Sequence, residues 1–301
     1  MTDNGLAAPG VVPRVPVSDL RRPTRGMGLV LSAAFADRDQ VQQRRGAPGA
    51  VLPRAGLFRL EGGDQMTLEI DRIYCMDCIE GMQQIGTASV DAIITDPPFF
   101  IPASHYQCRV KWQRKYSDLS VLRIFWESVL SEATRVLKPT GHMFVFCNGD
   151  SYPVFYAPMF DRFDRVKCLV WDKGHVGLGR IFRNQHELII WARSTDCMHV
   201  DDGRVHADVL RYSATPSSER KHPVEKPESL MMELIAPTTP EGGLVLDPFC
   251  GSGTVLTAAK KLNRHFIGFD LDPDYCKTTE LRVVAANEAR TLFSFEEEAS
   301  K

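Results

Sequence analysis

No stretch of the 301-residue chain approaches the roughly 20 consecutive apolar residues that a membrane span needs, because charge, glycine or proline breaks every apolar run. No membrane partner is therefore expected. Neither sign of charge is in excess: 36 Lys and Arg against 38 Asp and Glu leave a net of −2, which excludes a strongly basic coat, so nucleic-acid contact must come from local patches. Disulfide staples are unnecessary in a chain this long, and the eight cysteines (75, 78, 108, 147, 168, 197, 250 and 276) read as reduced thiols of a cytoplasmic protein. Internal repeats are lacking as well. What is present is a globular composition, 44% hydrophobic and 25% charged, which argues against wholesale disorder, collagen and coiled coil.

Two compositions share the chain. Residues 1–60 hold nine Arg, four Asp and no Lys, a net of +5, whereas residues 61–301 hold 27 basic and 34 acidic residues, a net of −7. Residues 1–65 carry six prolines and no helical or strand period, which predicts a mostly disordered leader. A targeting segment is the alternative, with Arg21-Arg22 ahead of the short apolar run Met27 to Ala36, but Pro23-Thr24 suits a twin-arginine signal poorly. The text changes at Met66, which opens directly into a strand pattern. Glu61-Gly62-Gly63-Asp64 just before it can be encoded by a purine-rich ribosome-binding sequence, so a translation start at Met66, with 1–65 not native, is the third reading of this segment. Residues 296–301 are expected to be a solvated acidic tail.

From Arg72 onward, apolar runs bounded by turn residues alternate with helical patterns, the signature of a doubly wound α/β fold with a mainly parallel sheet. Strands are predicted at 72–76, 90–95, 141–146, 166–171, 187–192, 244–246 and 265–269, and helices at 119–137, 226–236, 254–262 and 273–289. The stretches 100–118 and 174–221 are long and poorly periodic, so they read as working loops.

Two strings carry chemistry. Val90-Asp-Ala-Ile-Ile-Thr-Asp96-Pro97-Pro98-Phe99 is a buried strand ending in an acid, two prolines and an aromatic ring. Ligands of open α/β sheets lie beyond the carboxyl ends of strands, where this string puts Asp96. The prolines remove two amide donors and fix φ, leaving acceptors beside an aromatic face, an arrangement that suits a flat ligand with an amino group. The second string, Leu244-Val-Leu-Asp247-Pro248-Phe249-Cys250-Gly251-Ser252-Gly253-Thr254, is a strand entering a glycine turn that opens a helix. It lacks the Lys of a phosphate-binding loop, and Leu256 stands where the dinucleotide fingerprint has its third glycine. Asp270, 19 residues after Gly251 at the next strand end, can take two ribose hydroxyls, which suggests a nucleoside-bearing cofactor.

In this order the two strings resemble the DNA amino-methyltransferases that use S-adenosylmethionine, in the circularly permuted, beta-type arrangement of the N6-adenine and N4-cytosine enzymes. The resemblance covers about Ile73 to Ala289 and takes in Ile73-Tyr-Cys-Met-Asp77-Cys, His222-Pro-Val-Glu-Lys226-Pro227, Trp171-Asp172-Lys173 and His186-Glu187-Leu-Ile-Ile. It implies the Rossmann-like class I methyltransferase fold, one domain over 66–295, and a prokaryotic or phage-encoded enzyme. It further implies that Asp77 meets the cofactor adenine, Asp270 the ribose and Asp247 the methionine end. Phe249, Gly251 and Gly253 would lie against the cofactor, with Thr254 and Lys226 near its carboxylate.

The resemblance makes Asp96, Pro97, Pro98 and Phe99 the catalytic set. Asp96 and the Pro97 carbonyl would accept the N–H bonds of an exocyclic amine while Phe99 stacks on a flipped base. The family usually has Tyr at the last position, so a hydroxyl is lost here. An aspartate-led motif favours adenine N6 over cytosine N4. Double-stranded DNA is the implied substrate, with a homodimer and a cognate restriction endonuclease as further partners. Arg109, Lys111, Arg114 and Lys115, interleaved with aromatics, and Arg180 and Arg183 in the second loop are the candidate DNA contacts. No metal is expected: Cys75 and Cys78 form C-x-x-C without a second pair at zinc spacing. Methylation of RNA or a protein amide, or a regulator that binds nucleic acid without turnover, are the competing readings.

Overall fold

The computed structural model describes residues 66–100, 116–177, 181–194, 206–213 and 226–299. The chain divides into two units, Met1–Pro53 and Arg54–Lys301, and every described residue belongs to the second. The leader 1–65 and the basic residues Arg109, Lys111, Arg114, Lys115 and Arg180 lie outside the described residues.

Eight strands form one sheet: β1 (Arg72–Cys75), β2 (Val90–Thr95), β3 (Leu137–Cys147), β4 (Arg165–Asp172), β5 (His186–Arg193), β6 (Val209–Arg211), β7 (Leu244–Asp247) and β8 (His265–Asp270). Their order is β1-β8-β7-β2-β3-β5-β4-β6, and β5 alone opposes the common direction. Between them run α1 (Cys78–Met82), α2 (Leu119–Val136), α3 (Tyr152–Phe160), α4 (Glu228–Ile235), α5 (Thr254–Lys261) and α6 (Pro273–Ala299). The chain winds outward in one direction from β2 and in the other from β7, so these neighbours mark the topological switch point, where a ligand crevice opens.

Strand alternation explains why both faces are covered. Ile93, Met143, Val145, Ile190, Leu246 and Ile267 face α1, α2 and α3, which bring in Met82, Leu122, Trp126, Leu130 and Phe155. Their neighbours Ile94, Phe144, Phe146, Ile189, Val245 and Phe266 face α4, α5 and α6, which contribute Leu230, Met231, Leu256 and Val283. All six residues of β2 are buried, Asp91 and Thr95 included. Among the described residues no helix is long and apolar enough to cross a membrane.

Helix α3 is absent from the sequence-based assignment because its text, Tyr-Pro-Val-Phe-Tyr-Ala-Pro-Met-Phe, reads as proline-broken. Pro153 sits in the first turn, where its missing N–H is no loss, and Phe155 and Met159 are buried on one face. Helix α6 continues past the predicted end at 289 to Ala299, since no Gly or Pro follows Pro273 within it. The backbone of residues 296–299, Glu-Glu-Glu-Ala, is thus helical. Strand β3 begins at Leu137, four residues before its predicted start, where a register irregularity between Val90 and Ala92 on β2 absorbs the extra length.

Candidate active site

Four acids line the carboxyl ends of four adjacent parallel strands. Asp77 follows β1, Asp270 ends β8, Asp247 ends β7 and Asp96 follows β2. With strands about 4.8 Å apart the row spans three spacings, roughly 14 Å. The sequence places each acid at a strand end; the strand order makes them contiguous.

At one end, Asp77 caps α1, its Oδ1 accepting from the amides of Ile79 (2.9 Å) and Glu80 (3.3 Å). Beside it the buried Tyr116 begins an aromatic line, 5.0 Å from Phe125, which lies 5.9 Å from Phe249. Burial, with the charges of Cys78 and Asp77, pushes the Tyr116 phenol up to about 12. Asp270 reaches back to the glycine turn: its Oδ2 accepts the Gly251 amide at 2.9 Å, and its Oδ1 accepts the Asp272 amide at 2.8 Å.

The two glycines of that turn differ. Gly253, with φ +78°, caps α5, and a Cβ there would come within 2.2 Å of the Thr279 methyl. Gly251 also has positive φ, +49°, but a Cβ there would meet nothing within 4 Å. Its surroundings are open, while Thr279 Oγ1 donates to its carbonyl at 2.7 Å and fixes the loop from behind. Thr254 opens α5 and is buried.

Asp247 is buried at the switch point, where its Oδ1 accepts from Thr95 Oγ1 at 2.9 Å and from the Phe249 amide at 3.1 Å. Burial outweighs these bonds, and with the neighbouring charges of Asp96 and Asp270 it lifts the carboxyl to about 7. Among the described residues no cation contacts it. The site thus has an unmet demand for a positive group.

Asp96 has such a group. Lys226 Nζ lies 2.5 Å from its Oδ2 and 3.2 Å from Glu187 Oε2, and Glu187 Oε1 in turn accepts from Lys173 at 2.6 Å. The Lys226 ammonium also stands 5.3 Å from the centre of the Phe146 ring. Burial raises the Asp96 carboxyl, and Lys226 opposes the rise. Burial would likewise discharge Lys226, but Asp96 and Glu187 together raise it instead, so it remains an ammonium. The sequence puts Lys226 near the cofactor carboxylate; its ammonium sits on Asp96.

The segment after Asp96 is tethered from β3. The Phe100 amide donates to the fully buried Ser151 Oγ at 2.8 Å, and Asn148 Nδ2 donates to the Phe100 carbonyl at 2.9 Å. Phe99 packs partly buried against the core beside Phe100. Of the candidate DNA contacts, Arg183 alone is described, and its guanidinium is committed to the carbonyls of Gly177 (2.6 Å) and Val176 (3.5 Å), bracing its own loop. Thr95, Asn148, Ser151, Lys173 and Glu187 were not singled out as site residues from the sequence. Lys173 and Glu187 stand there only within the strings Trp171-Asp172-Lys173 and His186-Glu187-Leu-Ile-Ile, and the other three left no signal. Among the described residues no group of three or more His, Cys, Asp or Glu is placed to hold a metal.

Residues 90–281 match the family model for DNA methylase, N6_N4_Mtase. The chain is 30% identical over 241 residues to the Type II methyltransferase M2.DpnII of Streptococcus pneumoniae, a match covering 70% of this chain and 89% of that one. Against M2.LlaDCHI of Lactococcus lactis subsp. cremoris the identity is 29% over 236 residues, covering 69% and 87%. Among solved structures, the M1.HpyAVI–SAM complex is similar with a TM-score of 0.55 and 25% identity, over 70% of this chain and 98% of that one. With the family model spanning well over half of its length, the chain belongs to the DNA methylase family of N6 and N4 methyltransferases.

Proposed function

We propose that the protein is a site-specific DNA methyltransferase that moves a methyl group from S-adenosylmethionine to the exocyclic amine of a flipped base, adenine N6 in preference to cytosine N4. The observation that carries this reading is the pair of carboxylates at the switch point, Asp247 buried and Asp96 partly so. Asp247 demands a cation, and Asp96, one strand away, is held as an acceptor. A cofactor with a sulfonium and an ammonium suits the first, and an amine donating N–H bonds suits the second.

The chain's residues fit that cofactor. Gly251 leaves open space where a ligand can approach the backbone, Asp270 stiffens the turn while offering further acceptor directions, and the aromatic line ending in Phe249 supplies a flat wall beside Asp77. When bound, S-adenosylmethionine supplies an electrophilic methyl on a positively charged sulfur. Asp96 and the Pro97 carbonyl orient the amine lone pair toward that methyl by accepting its N–H bonds. As the N–C bond forms and the C–S bond breaks, positive charge grows on the nitrogen; the Asp96 anion stabilises it and takes the proton shed afterwards. Pro97 and Pro98 hold these acceptors stiffly, and the Asn148 and Ser151 tether fixes the same segment from its far side.

An amine paired inside a duplex is out of reach, so the base is flipped and stacked against Phe99. Double-stranded DNA is the substrate; a cytoplasmic location, a homodimer and a cognate endonuclease complete the reading for a restriction–modification enzyme. The test is nucleoside mass spectrometry of DNA from a methylation-free bacterial host expressing the protein, with Asp96→Ala alongside. N6-methyladenine with the parent chain and none with the variant is the expected result. N4-methylcytosine would correct the base, and no methylated base from a well-expressed, cofactor-binding protein would overturn the reading.

A further inference from the structure

The chemistry above needs Asp96 as an acceptor, yet in this structure Lys226 occupies its Oδ2. The contact at 2.5 Å is the shorter of the two that Lys226 makes with carboxylates, the other being 3.2 Å to Glu187. An incoming amine competes with the ammonium for the same carboxylate. Moving Lys226 away from all negative charge would strand an unpaired ammonium with only 10% of its side-chain surface exposed, where water cannot replace the lost anion. Glu187 offers it a place to go. It stands at the start of β5, paired with Trp171 of β4 across the ladder, so its backbone is fixed by the sheet. One of its oxygens is already held by Lys173 and the other faces Lys226. The four groups alternate in sign, Asp96, Lys226, Glu187, Lys173, and together carry no net charge. The Phe146 ring beneath the Lys226 ammonium provides a surface on which a short shift leaves the cation stabilised throughout.

We propose that Glu187 is a positioning residue for methyl transfer, the second seat to which the Lys226 ammonium moves when the target amine engages Asp96. The inference rests on the methyltransferase reading. Lys226 in the resting enzyme keeps the partly buried Asp96 ionised, and Glu187 then draws the lysine off far enough to leave Oδ2 for the amine. Lys173 holds Glu187 in place and balances its charge. The amine proton is released to Asp96 after transfer, and Lys226 returns as the product base leaves.

The charged and titratable groups around Asp96 are Lys226 ahead of α4, Glu187 on β5, Lys173 after β4, Asp247 on β7 and the Cys147 thiol ending β3. Removing the negative charge of Glu187 lowers the Asp96 pKa, whereas removing the positive charge of Lys226 raises it. Methyl transfer fails as pH falls through the Asp96 pKa, so the two changes move the acid limb of the rate in opposite directions.

The experiment is the single-turnover rate of methyl transfer to unmethylated host DNA against pH, with the enzyme preloaded at saturating S-adenosylmethionine so that Asp247 is already paired. Glu187→Gln is expected to slow transfer at neutral pH at least about tenfold and to move the acid limb to lower pH. Lys226→Met moves that limb to higher pH, and Lys226→Arg restores it. Glu187→Asp, which keeps the charge but withdraws the seat, slows transfer with the limb unmoved, and serves equally where Glu187→Gln does not fold. An unslowed Glu187→Gln, or one whose acid limb stays or rises, overturns the proposal while leaving the methyltransferase reading intact. No transfer by the parent chain overturns the reading and the proposal with it.

Discussion

The two ends of the sheet use the same residue type for opposite purposes. At the amino end, Asp91 near the start of β2 has Lys138 Nζ on one oxygen and the Leu244 amide on the other, both at 2.8 Å. Asp71, ahead of β1, accepts from the Phe266 amide at 3.3 Å and contacts His265 Nδ1 at 3.0 Å and Lys260 at 3.4 Å. These acids clip β2 to β7 and the turn before β1 to β8. At the carboxyl end, among the described residues, Asp247 has two neutral donors and no cation, and Asp96 leans on Lys226. A cavity of about 210 Å³ lies at the amino end, lined by Met66, Asp91, Lys138 and His265 among others. Acids clipped by amides and cations therefore mark the structural end, and Asp247, buried with no cation in contact among the described residues, marks the chemical one.

Exchanging one acid at each end should separate the two roles by the widest margin. Asp96→Asn is expected to lower the methyl-transfer rate by a factor on the order of 10²–10³ with unfolding stability unchanged or higher. Asp91→Asn reverses the pattern, losing about 1–3 kcal/mol in a denaturant titration because Lys138 is left without its anion, while the rate per folded molecule stays the same. Methylation kinetics and urea melts on both variants check this. An Asp91 variant that folds normally but cannot methylate would erase the distinction.

The glycine turn sharpens the contrast within the chemical end itself. Gly253→Ala drives a methyl into Thr279 and keeps a left-handed φ, so a loss of about 2–3 kcal/mol in stability is expected together with weaker cofactor binding. Gly251→Ala meets no atom of the protein, so the melt should shift by about 1 kcal/mol at most, from the positive φ alone. The added methyl projects into the space assigned to the cofactor, and binding by calorimetry should fall at least about tenfold. Equal losses of stability in the two variants would show that the space beside Gly251 is closed in solution.

Much of this was legible in the text because it is written in local punctuation. The acid–Pro–Pro of β2 and the glycines after β7 mark strand ends, and strand ends are where α/β sheets bind ligands. Strand order then gathers Asp77, Asp270, Asp247 and Asp96 into one row. Lys226 and Glu187 were not legible in their roles. The partner of Lys226 lies 130 residues away in sequence, and no periodicity encodes which carboxylate a buried lysine will choose. Thr95 was hidden for a related reason: its hydroxyl looks like an ordinary strand residue until β7 brings Asp247 within 2.9 Å. Helix α3 was missed because its two prolines outweighed an apolar face that only packing against Trp126 reveals.

Asp247 should show its character in the pH dependence of cofactor binding. Its carboxyl moves from an ordinary 3.8 in the unfolded chain to about 7 in the fold, so between those values the folded state holds the extra proton. Ligand-free stability from this group is therefore greatest below that window, falls as pH rises through it and is level above about 7. Binding of a cationic ligand has the opposite sign: affinity rises with pH up to about 7 and then flattens, with proton release detectable by calorimetry in buffers of different ionisation enthalpy. Asp247→Asn should remove both the slope and the proton release and weaken binding about tenfold. A slope that survives the substitution would assign the titration elsewhere.

The smallest expected effect tests a side-chain hydrogen bond that joins the two halves of the site. Thr95 ends β2, one residue before Asp96, and its hydroxyl donates to Asp247 at the end of β7. Thr95→Val keeps the buried shape and deletes that donor, leaving the Phe249 amide as the other bond to Asp247 Oδ1. A bond of this kind contributes about 1 kcal/mol, so cofactor affinity near neutral pH should fall about fivefold. Because the lost donor favoured the anion, the Asp247 titration should also move to higher pH, and much of the affinity should return on raising the pH by about one unit. The methyl-transfer rate at saturating cofactor should be unchanged, since Asp96 keeps its own partner in Lys226. A rate that fell with affinity would mean that Thr95 also sets the position of Asp96, and that the catalytic and cofactor strands act as a single unit rather than as two sites sharing an edge.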